Sequence, residues 1–210
     1  MGEKPGAPLS ILPLDESTVA ADPIVQFQRW MADAVAANIL MPEAMTLATA
    51  TIDGRPSARM VLLKGVDPSG FTFFTNYRSR KARELEANPR AALVAYWAEM
   101  ERQVRVEGTV TRTSAAESEE YFATRPLDSR LSAWASPQSE VLPERRTLEA
   151  RLEQVRRQFP GERVPCPEFW GGYRLRPESL EFWQGRPGRL HDRIRYRWER
   201  GGWVIERLAP

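Results

Sequence analysis

Leu180-Glu181-Phe182-Trp183-Gln184-Gly185-Arg186-Pro187-Gly188-Arg189-Leu190-His191-Asp192-Arg193 is the stretch on which the reading of this chain turns. It starts as a strand, Leu180–Trp183, breaks at two glycines and a proline, and resumes as a strand over Arg193–Trp198. The protein's single histidine lies inside it, with Arg189 and Arg193 two residues to either side. Three cations this close repel one another, and Asp192 can answer for only one. A phosphorylated ligand would answer for the rest; a solvated basic turn between two strands is the other reading of the segment taken alone.

Working outward, the same strand-and-turn pattern recurs. Gly201-Gly202 turns into a last strand, Trp203–Leu208, and Phe169–Arg176 precedes the quoted stretch as another. Upstream, Met45–Thr51 and Ser57–Lys64 flank Asp53-Gly54, a strong hairpin signal. Asp67-Pro68-Ser69-Gly70 turns into Phe71–Thr75. Ala91–Trp97 follows, and Val104, Val106, Gly108 and Val110 alternate with polar residues at a half-buried strand's period of two. Helices punctuate these strands. Asp22-Pro23 opens one to about Asn38, with Phe27, Trp30, Met31, Ala34 and Val35 on its apolar face. Ser79 to about Ala87 is a short one stopped before Pro89. Ser114 and Glu117 make a capping box, and Pro143 opens a longer helix with Leu148, Leu152, Val155 and Phe159 in one stripe.

Short strands joined by hairpins, without repeated βα alternation, predict a mainly β, α+β fold: an antiparallel barrel with peripheral helices. No Gly-x-Gly-x-x-Gly is present. Residues 1–21 lack periodicity and read as a flexible arm, residues 22–210 as a single domain. The 210 residues, 42% hydrophobic and 28% charged, describe an ordinary globular protein. No run approaches a membrane span, Lys4 is not followed by a secretory apolar stretch, and the reading expects a cytoplasmic protein.

A lone cysteine, Cys166, rules out an internal disulfide or a thiolate cluster. One histidine cannot build a His-rich zinc site, so no metal is expected. There is neither a Gly-x-Ser-x-Gly elbow nor a Walker A loop. The net charge of +2 contains no block of consecutive cations, so nucleic acid is not an expected partner. Redox chemistry would need an organic cofactor.

Three constellations carry chemistry. Arg59-Met60-Val61-Leu62-Leu63-Lys64 is a strand with a cation at each end, on opposite faces unless a bulge intervenes. Ser79-Arg80-Lys81 sits at a helix start, where free N–H groups, a hydroxyl and two cations can cradle a phosphate. Tyr121, Arg125 and Ser129 offer a phenol, a guanidinium and a hydroxyl at helical spacing; with Lys64 beneath they would form a second phosphate site. Gln103 and Gln138-Ser139 suit the edge of a heteroaromatic ring. Each alone also reads as ordinary surface.

Together these motifs resemble the pyridoxamine/pyridoxine 5′-phosphate oxidase family. The quoted stretch matches its L-E-F-W-Q and R-L-H-D-R elements. R-M-V-L-L-K (Arg59–Lys64), F-F-T-N-Y-R-S-R-K (Phe73–Lys81), E-R-Q-V (Glu101–Val104), Y-F-A-T-R-P-x-D-S (Tyr121–Ser129), Q-S (Gln138-Ser139) and F-W-G-G (Phe169–Gly172) follow in family order. The resemblance implies an FMN-binding split barrel and a homodimer whose FMN clefts are built by both subunits. It implies FMN contacts at Arg59, Met60, Val61, Leu62, Lys64, Phe74, Thr75, Arg80, Lys81, Gln103, Gln138, Ser139, Trp183 and Arg193. It implies substrate contacts at Lys64, Tyr121, Arg125, Ser129, Arg189 and His191, the last two flanking the ring on one side of an extended segment and taking part in catalysis. The implied reaction oxidises pyridoxamine or pyridoxine 5′-phosphate to pyridoxal 5′-phosphate, with oxygen reduced to hydrogen peroxide. A related split-barrel oxidase of another conjugated ring, such as a phenazine precursor, and a non-catalytic flavin or pyridoxal-phosphate carrier are the alternatives. Two departures stand out: Phe74 replaces a frequent tyrosine, and residues 1–21 hold no Arg-Arg-x-Tyr lid element.

Overall fold

The computed structural model describes residues 13–210. Helix α1 (Pro23–Ala36) begins where Asp22 accepts a hydrogen bond from the Ile24 amide at 2.7 Å. Its apolar stripe packs on a sheet, with Phe27 edge-on to Phe71 at 4.9 Å and Trp30 edge-on to Phe182 at 5.2 Å. β1 (Ala44–Ala50) and β2 (Pro56–Leu62) form the expected hairpin, in which Gly54 takes φ +84°. β3 (Gly65–Asp67), β4 (Gly70–Asn76), α2 (Arg80–Ala87), β5 (Arg90–Trp97) and β6 (Arg102–Arg112) follow. α3 (Ala115–Thr124) carries the expected capping box. After it come α4 (Leu127–Ala135), α5 (Arg145–Gln158), β7 (Trp170–Gln184), β8 (Asp192–Glu199) and β9 (Gly202–Arg207).

The strands make one antiparallel sheet in the order β2-β1-β5-β6-β7-β4-β3, with β8 and β9 added alongside β7. β2 and β3 occupy opposite ends of that order, yet only Leu63 and Lys64 separate them in sequence. The sheet must therefore curl until its ends meet. Two amides stitch the seam: Leu63 donates to the Glu43 carbonyl at 2.9 Å and Lys64 to the Thr72 carbonyl at 2.8 Å.

β7 keeps β6 along one edge, while its other edge pairs first with β4 (Trp170–Leu175) and then with β8 (Ser179–Gln184). The changeover spans Arg176–Glu178, where Pro177 has no N–H to offer a ladder. Opposite it the register shifts at Glu107/Gly108, and a Cβ on Gly108 would lie 2.0 Å from the Arg176 carbonyl oxygen. This is the curled split barrel with peripheral helices that the sequence predicts. A main core fills the space between α1 and the sheet; a second cluster, including Phe122, Leu131, Ala135, Val155 and Trp170, joins α3, α4 and α5 to β7.

Some details differ from expectation. The strands expected over Phe169–Arg176 and Leu180–Trp183 are one continuous β7, because β6 pairs across the irregularity. β3 and α4 are additional elements. Of the arm expected over 1–21, residues 1–12 lie outside the described residues. Residues 13–21 are tied down: Leu14 is buried, its carbonyl accepts from Arg207 at 3.0 Å, and the Ala20 carbonyl accepts from the Tyr196 hydroxyl at 2.7 Å. Among the described residues no helix is long and apolar enough to cross a membrane, and no group of three or more His, Cys, Asp or Glu side chains is gathered to hold a metal ion.

Candidate functional site

A cleft of about 710 Å³ opens where the seam of the sheet meets the α3–α4 layer. Met60, Val61 and Leu62 from the end of β2 line it, with Lys64 from the seam, Phe74 and Thr75 from β4, and Lys81 from α2. Tyr121 of α3, Arg125 at its cap, Ser129 of α4 and Gln138 beyond α4 complete the opposite wall. The curl thus brings Lys64 to the Tyr121–Arg125–Ser129 set.

The cleft has two cationic ends. At one, Lys81 donates to the Thr75 hydroxyl at 3.0 Å and to Gln138 Oε1 at 3.2 Å, and Thr75 donates to the same oxygen at 3.0 Å. An ammonium can only donate, so the Gln138 oxygen must face it, leaving the amide nitrogen to serve a ligand. Burial, and then the nearby Arg59 charge, push Lys81 down to about 8. Behind Lys81 lies the buried carboxylate of Glu84, which accepts from Thr49 and Ser57 (both 2.5 Å), Arg80 Nε (2.8 Å) and Arg59 (3.3 Å). Burial alone would raise Glu84, but these four donors outweigh it and bring it to about 2. Ser79 spends its hydroxyl capping α2, accepting from the Ala82 amide at 3.4 Å.

At the other end stands Arg125. Its guanidinium lies 4.7 Å from the centroid of the Trp170 ring and 5.5 Å from that of Phe122. Its NH1 is buried without a hydrogen-bond partner among the described residues, and burial lowers its pKa. α4 starts one residue beyond Pro126, and the first-turn amides of a helix have no intrahelical acceptor. An unpartnered guanidinium nitrogen and a helix start, in a cleft that Lys64 also lines, are features suited to holding an anion. Phe74 stacks on Tyr121 at 4.1 Å and on Trp170 at 5.4 Å, giving a flat apolar wall between the two ends.

The remaining expected residues do not line this cleft. Arg59 and Arg80 hold Glu84 behind it, and Ser139, at φ +73°, lies just past Gln138. Gln103, Trp183 and Arg193 form a second group, aligned across β6, β7 and β8 as cross-strand partners. They lie on the face opposite the buried row Val104–Phe182–Ile194. Arg193 is held by Glu181 at 2.8 and 3.1 Å. His191 packs its ring 4.6 Å from that of Trp183. Arg189 and His191 do not sit in an extended segment as expected: Pro187–Arg189 form a 3-10 turn, with Gly188 and Arg189 at φ +67° and +62°. The sequence reading gave no role to Trp170, Asn76, Asp128 or Ser132, which also line the cleft. Trp170, Asn76 and Asp128 stood in the quoted F-W-G-G, F-F-T-N-Y-R-S-R-K and Y-F-A-T-R-P-x-D-S motifs, which were the available signal; Ser132 carried none.

Residues 31–159 match the family model described as "Pyridoxamine 5′-phosphate oxidase", and residues 170–210 match that of the "Pyridoxine 5′-phosphate oxidase C-terminal dimerisation region". The chain belongs to the pyridoxamine 5′-phosphate oxidase family. Family relatives include a pyridoxine/pyridoxamine 5′-phosphate oxidase of Cupriavidus taiwanensis, 61% identical over 94% of this chain and 93% of that protein. One of the same name from Rubrobacter xylanophilus is 60% identical over 94% and 91%. Among solved structures, PhzG of Burkholderia lata, in complex with tetrahydrophenazine-1-carboxylic acid, superposes with a TM-score of 0.90 at 32% identity, covering 96% of this chain and all of that one. A related FMN-binding protein of Nostoc punctiforme shares the fold at a TM-score of 0.71 and 20% identity, over 88% and 97% of the two chains. Family membership brings FMN as the cofactor and oxidation of a conjugated-ring substrate as the chemistry. The cleft fits that cofactor, with a buried ammonium, a free amide nitrogen and a flat wall.

Proposed function

We propose that the protein oxidises pyridoxine or pyridoxamine 5′-phosphate to pyridoxal 5′-phosphate. The observation that carries this reading is Arg125, whose NH1 is buried without a hydrogen-bond partner among the described residues, in the cleft that Lys81 also lines. Two separated cationic ends suit two phosphate-bearing rings lying against each other, one of them FMN. Relatives 57–61% identical to this chain bear the name of that oxidase, which supports the same reading.

Bound FMN would supply the two-electron acceptor for oxidation at the substrate's C4′ carbon, with oxygen as the final acceptor, reduced to hydrogen peroxide. Lys81 would hold its phosphate from the cleft wall, and Arg59 and Arg80 would have to turn from Glu84 to join it. Met60, Val61, Leu62, Phe74, Thr75, Gln138 and Ser139 surround the flavin. Lys64, Tyr121, Arg125 and Ser129 grip the substrate phosphate, turning remote binding energy into placement of C4′. With the alcohol, the hydroxyl proton leaves as the aldehyde forms; with the amine, water hydrolyses the imine and releases ammonia. Across a homodimer, Arg189 and His191 close the partner's cleft over the substrate, while Gln103, Trp183 and Arg193 contact the FMN held there.

A second reading has one specific support, the similarity to the PhzG structure: the anion at Arg125 would be the carboxylate of a reduced tricyclic ring. Oxygen uptake by the FMN-loaded protein separates the readings. Turnover of pyridoxamine or pyridoxine 5′-phosphate, with little for the unphosphorylated vitamers, supports the first. Turnover of a dihydrophenazine carboxylic acid alone supports the second. Absence of turnover with every ring, despite bound flavin, would leave a carrier.

A further inference from the structure

The turn that presents Arg189 and His191 holds two successive left-handed residues, and a non-glycine residue such as Arg189 adopts that backbone at a cost. One carboxylate secures it. Asp192 Oδ2 forms an ion pair with Arg186 Nε at 2.8 Å and accepts from the Leu14 amide at 3.2 Å, while Oδ1 accepts from Arg207 at 3.0 Å. Arg207 in turn binds Glu16 at 2.6 and 2.9 Å. With its side chain fixed in this knot, Arg186 directs its backbone N–H onto His191 Nδ1 at 3.1 Å. A ring nitrogen that accepts a hydrogen bond carries no proton. The neutral imidazole therefore has its proton on Nε2. Turning the ring over would set a C–H against the Arg186 amide and leave that donor unpaired.

We propose that Asp192 is a positioning residue that, acting through Arg186, sets His191 as the Nε2–H tautomer. His191 then meets the ring substrate as a hydrogen-bond donor, and the substrate atom facing it is an acceptor such as a ring oxygen. This rests on the reading of His191 as a substrate contact, but the spectroscopic part of its test does not.

The protein has one histidine, so a ¹⁵N-labelled holoenzyme gives a single pair of imidazole nitrogen signals. In mildly alkaline buffer, two-bond ¹H–¹⁵N spectra should show Nδ1 as pyridine-like and Nε2 as pyrrole-like. Asp192→Asn removes the charge at constant volume; its two signals should move toward a tautomer average. Its kcat should fall roughly 10- to 100-fold, as expected for a misplaced catalytic contact, with FMN affinity unchanged. Asp192→Glu should restore part of both. A protonated Nδ1 in the wild type would overturn the proposal, as would an Asp192→Asn variant with unaltered signals and kcat. Failure of the proposed function would appear separately, as no oxygen uptake with any ring substrate, because the tautomer is read without turnover.

Discussion

Replacing Arg125 by alanine tests whether the cleft has two anion sites or one. In the ligand-free protein this guanidinium contributes little: it lies over Trp170 at 4.7 Å, a contact worth about 0.5–1 kcal/mol. Against that stands the buried, unpartnered NH1, a desolvated donor whose cost is about 1–3 kcal/mol. The two nearly cancel, so the melting temperature of the apoprotein should stay within a few degrees of wild type or rise. Ligand binding should behave differently. A charge-assisted hydrogen bond to phosphate is worth about 1.5–3 kcal/mol, which converts to roughly a 10- to 150-fold loss of affinity.

Isothermal titration with three ligands isolates the effect. Pyridoxamine 5′-phosphate should weaken by that factor, while unphosphorylated pyridoxamine and FMN should be unchanged. Arg125→Lys should recover part of the loss, since an ammonium keeps the charge without the fork. Equal losses for FMN and the vitamer phosphate would refute the separation of sites. An unchanged affinity for the vitamer phosphate would refute the assignment of Arg125 altogether.

Other outcomes follow from the same geometry. Lys81 stands at about 8 in the ligand-free protein; a bound phosphate favours the ammonium, so FMN affinity should be highest below that pH and fall as pH rises through it, by up to about tenfold per pH unit, as fluorescence titrations across pH would show. Glu84, lowered to about 2 from an ordinary 4.5, contributes stability that is present above the unfolded value and lost as pH falls toward the folded one; Glu84→Gln should flatten the acid limb of a stability profile measured by urea unfolding. Arg189→Ala and His191→Ala should retain FMN but slow anaerobic flavin reduction, whereas Arg193→Ala should mainly weaken FMN; normal reduction in both of the former would remove them from the chemical step. Mixing Arg125→Ala and His191→Ala chains should give heterodimers in which one of the two clefts is intact, so activity should reappear on mixing; its absence would count against sites shared between subunits.

Local chemistry made much of the fold legible. Asp53-Gly54, the Ser114–Glu117 capping box and the alternation through β6 are cues whose physics acts within a few residues. What was missed depends on distant partners. Leu127-Asp128-Ser129-Arg130 after a proline looks like the end of a helix; α4 forms because Leu131 and Ala135 are buried in a cluster with Val155 and Phe122. Pro177-Glu178 looks like a turn, yet β7 runs through it because β6 supports one edge while its other edge changes partner. The wall of Phe74, Tyr121 and Trp170 joins three elements far apart in the chain. The residue types of the site were readable, but their division into a cleft and a separate cross-strand row was not.

That division changes what the C-terminal stretch can do. By sequence, Arg189, His191 and Arg193 are three cations with only Asp192 to compensate them, which suits either a phosphorylated ligand or a solvated basic turn. In the folded chain Asp192 is occupied by Arg186 and Arg207 instead. Arg193 is neutralised by Glu181, a member of the same stretch, placed beside it by the register of β7 and β8. His191 receives a hydrogen bond at Nδ1, as a neutral ring does. Of the two arginines, Arg189 is the one without a carboxylate partner among the described residues. The segment therefore offers a ligand one free cation and one ring N–H, a set suited to the rim of a polar aromatic ring. The stronger case for an anion is at Arg125, where burial beside a helix start leaves a guanidinium NH1 without a hydrogen-bond partner among the described residues.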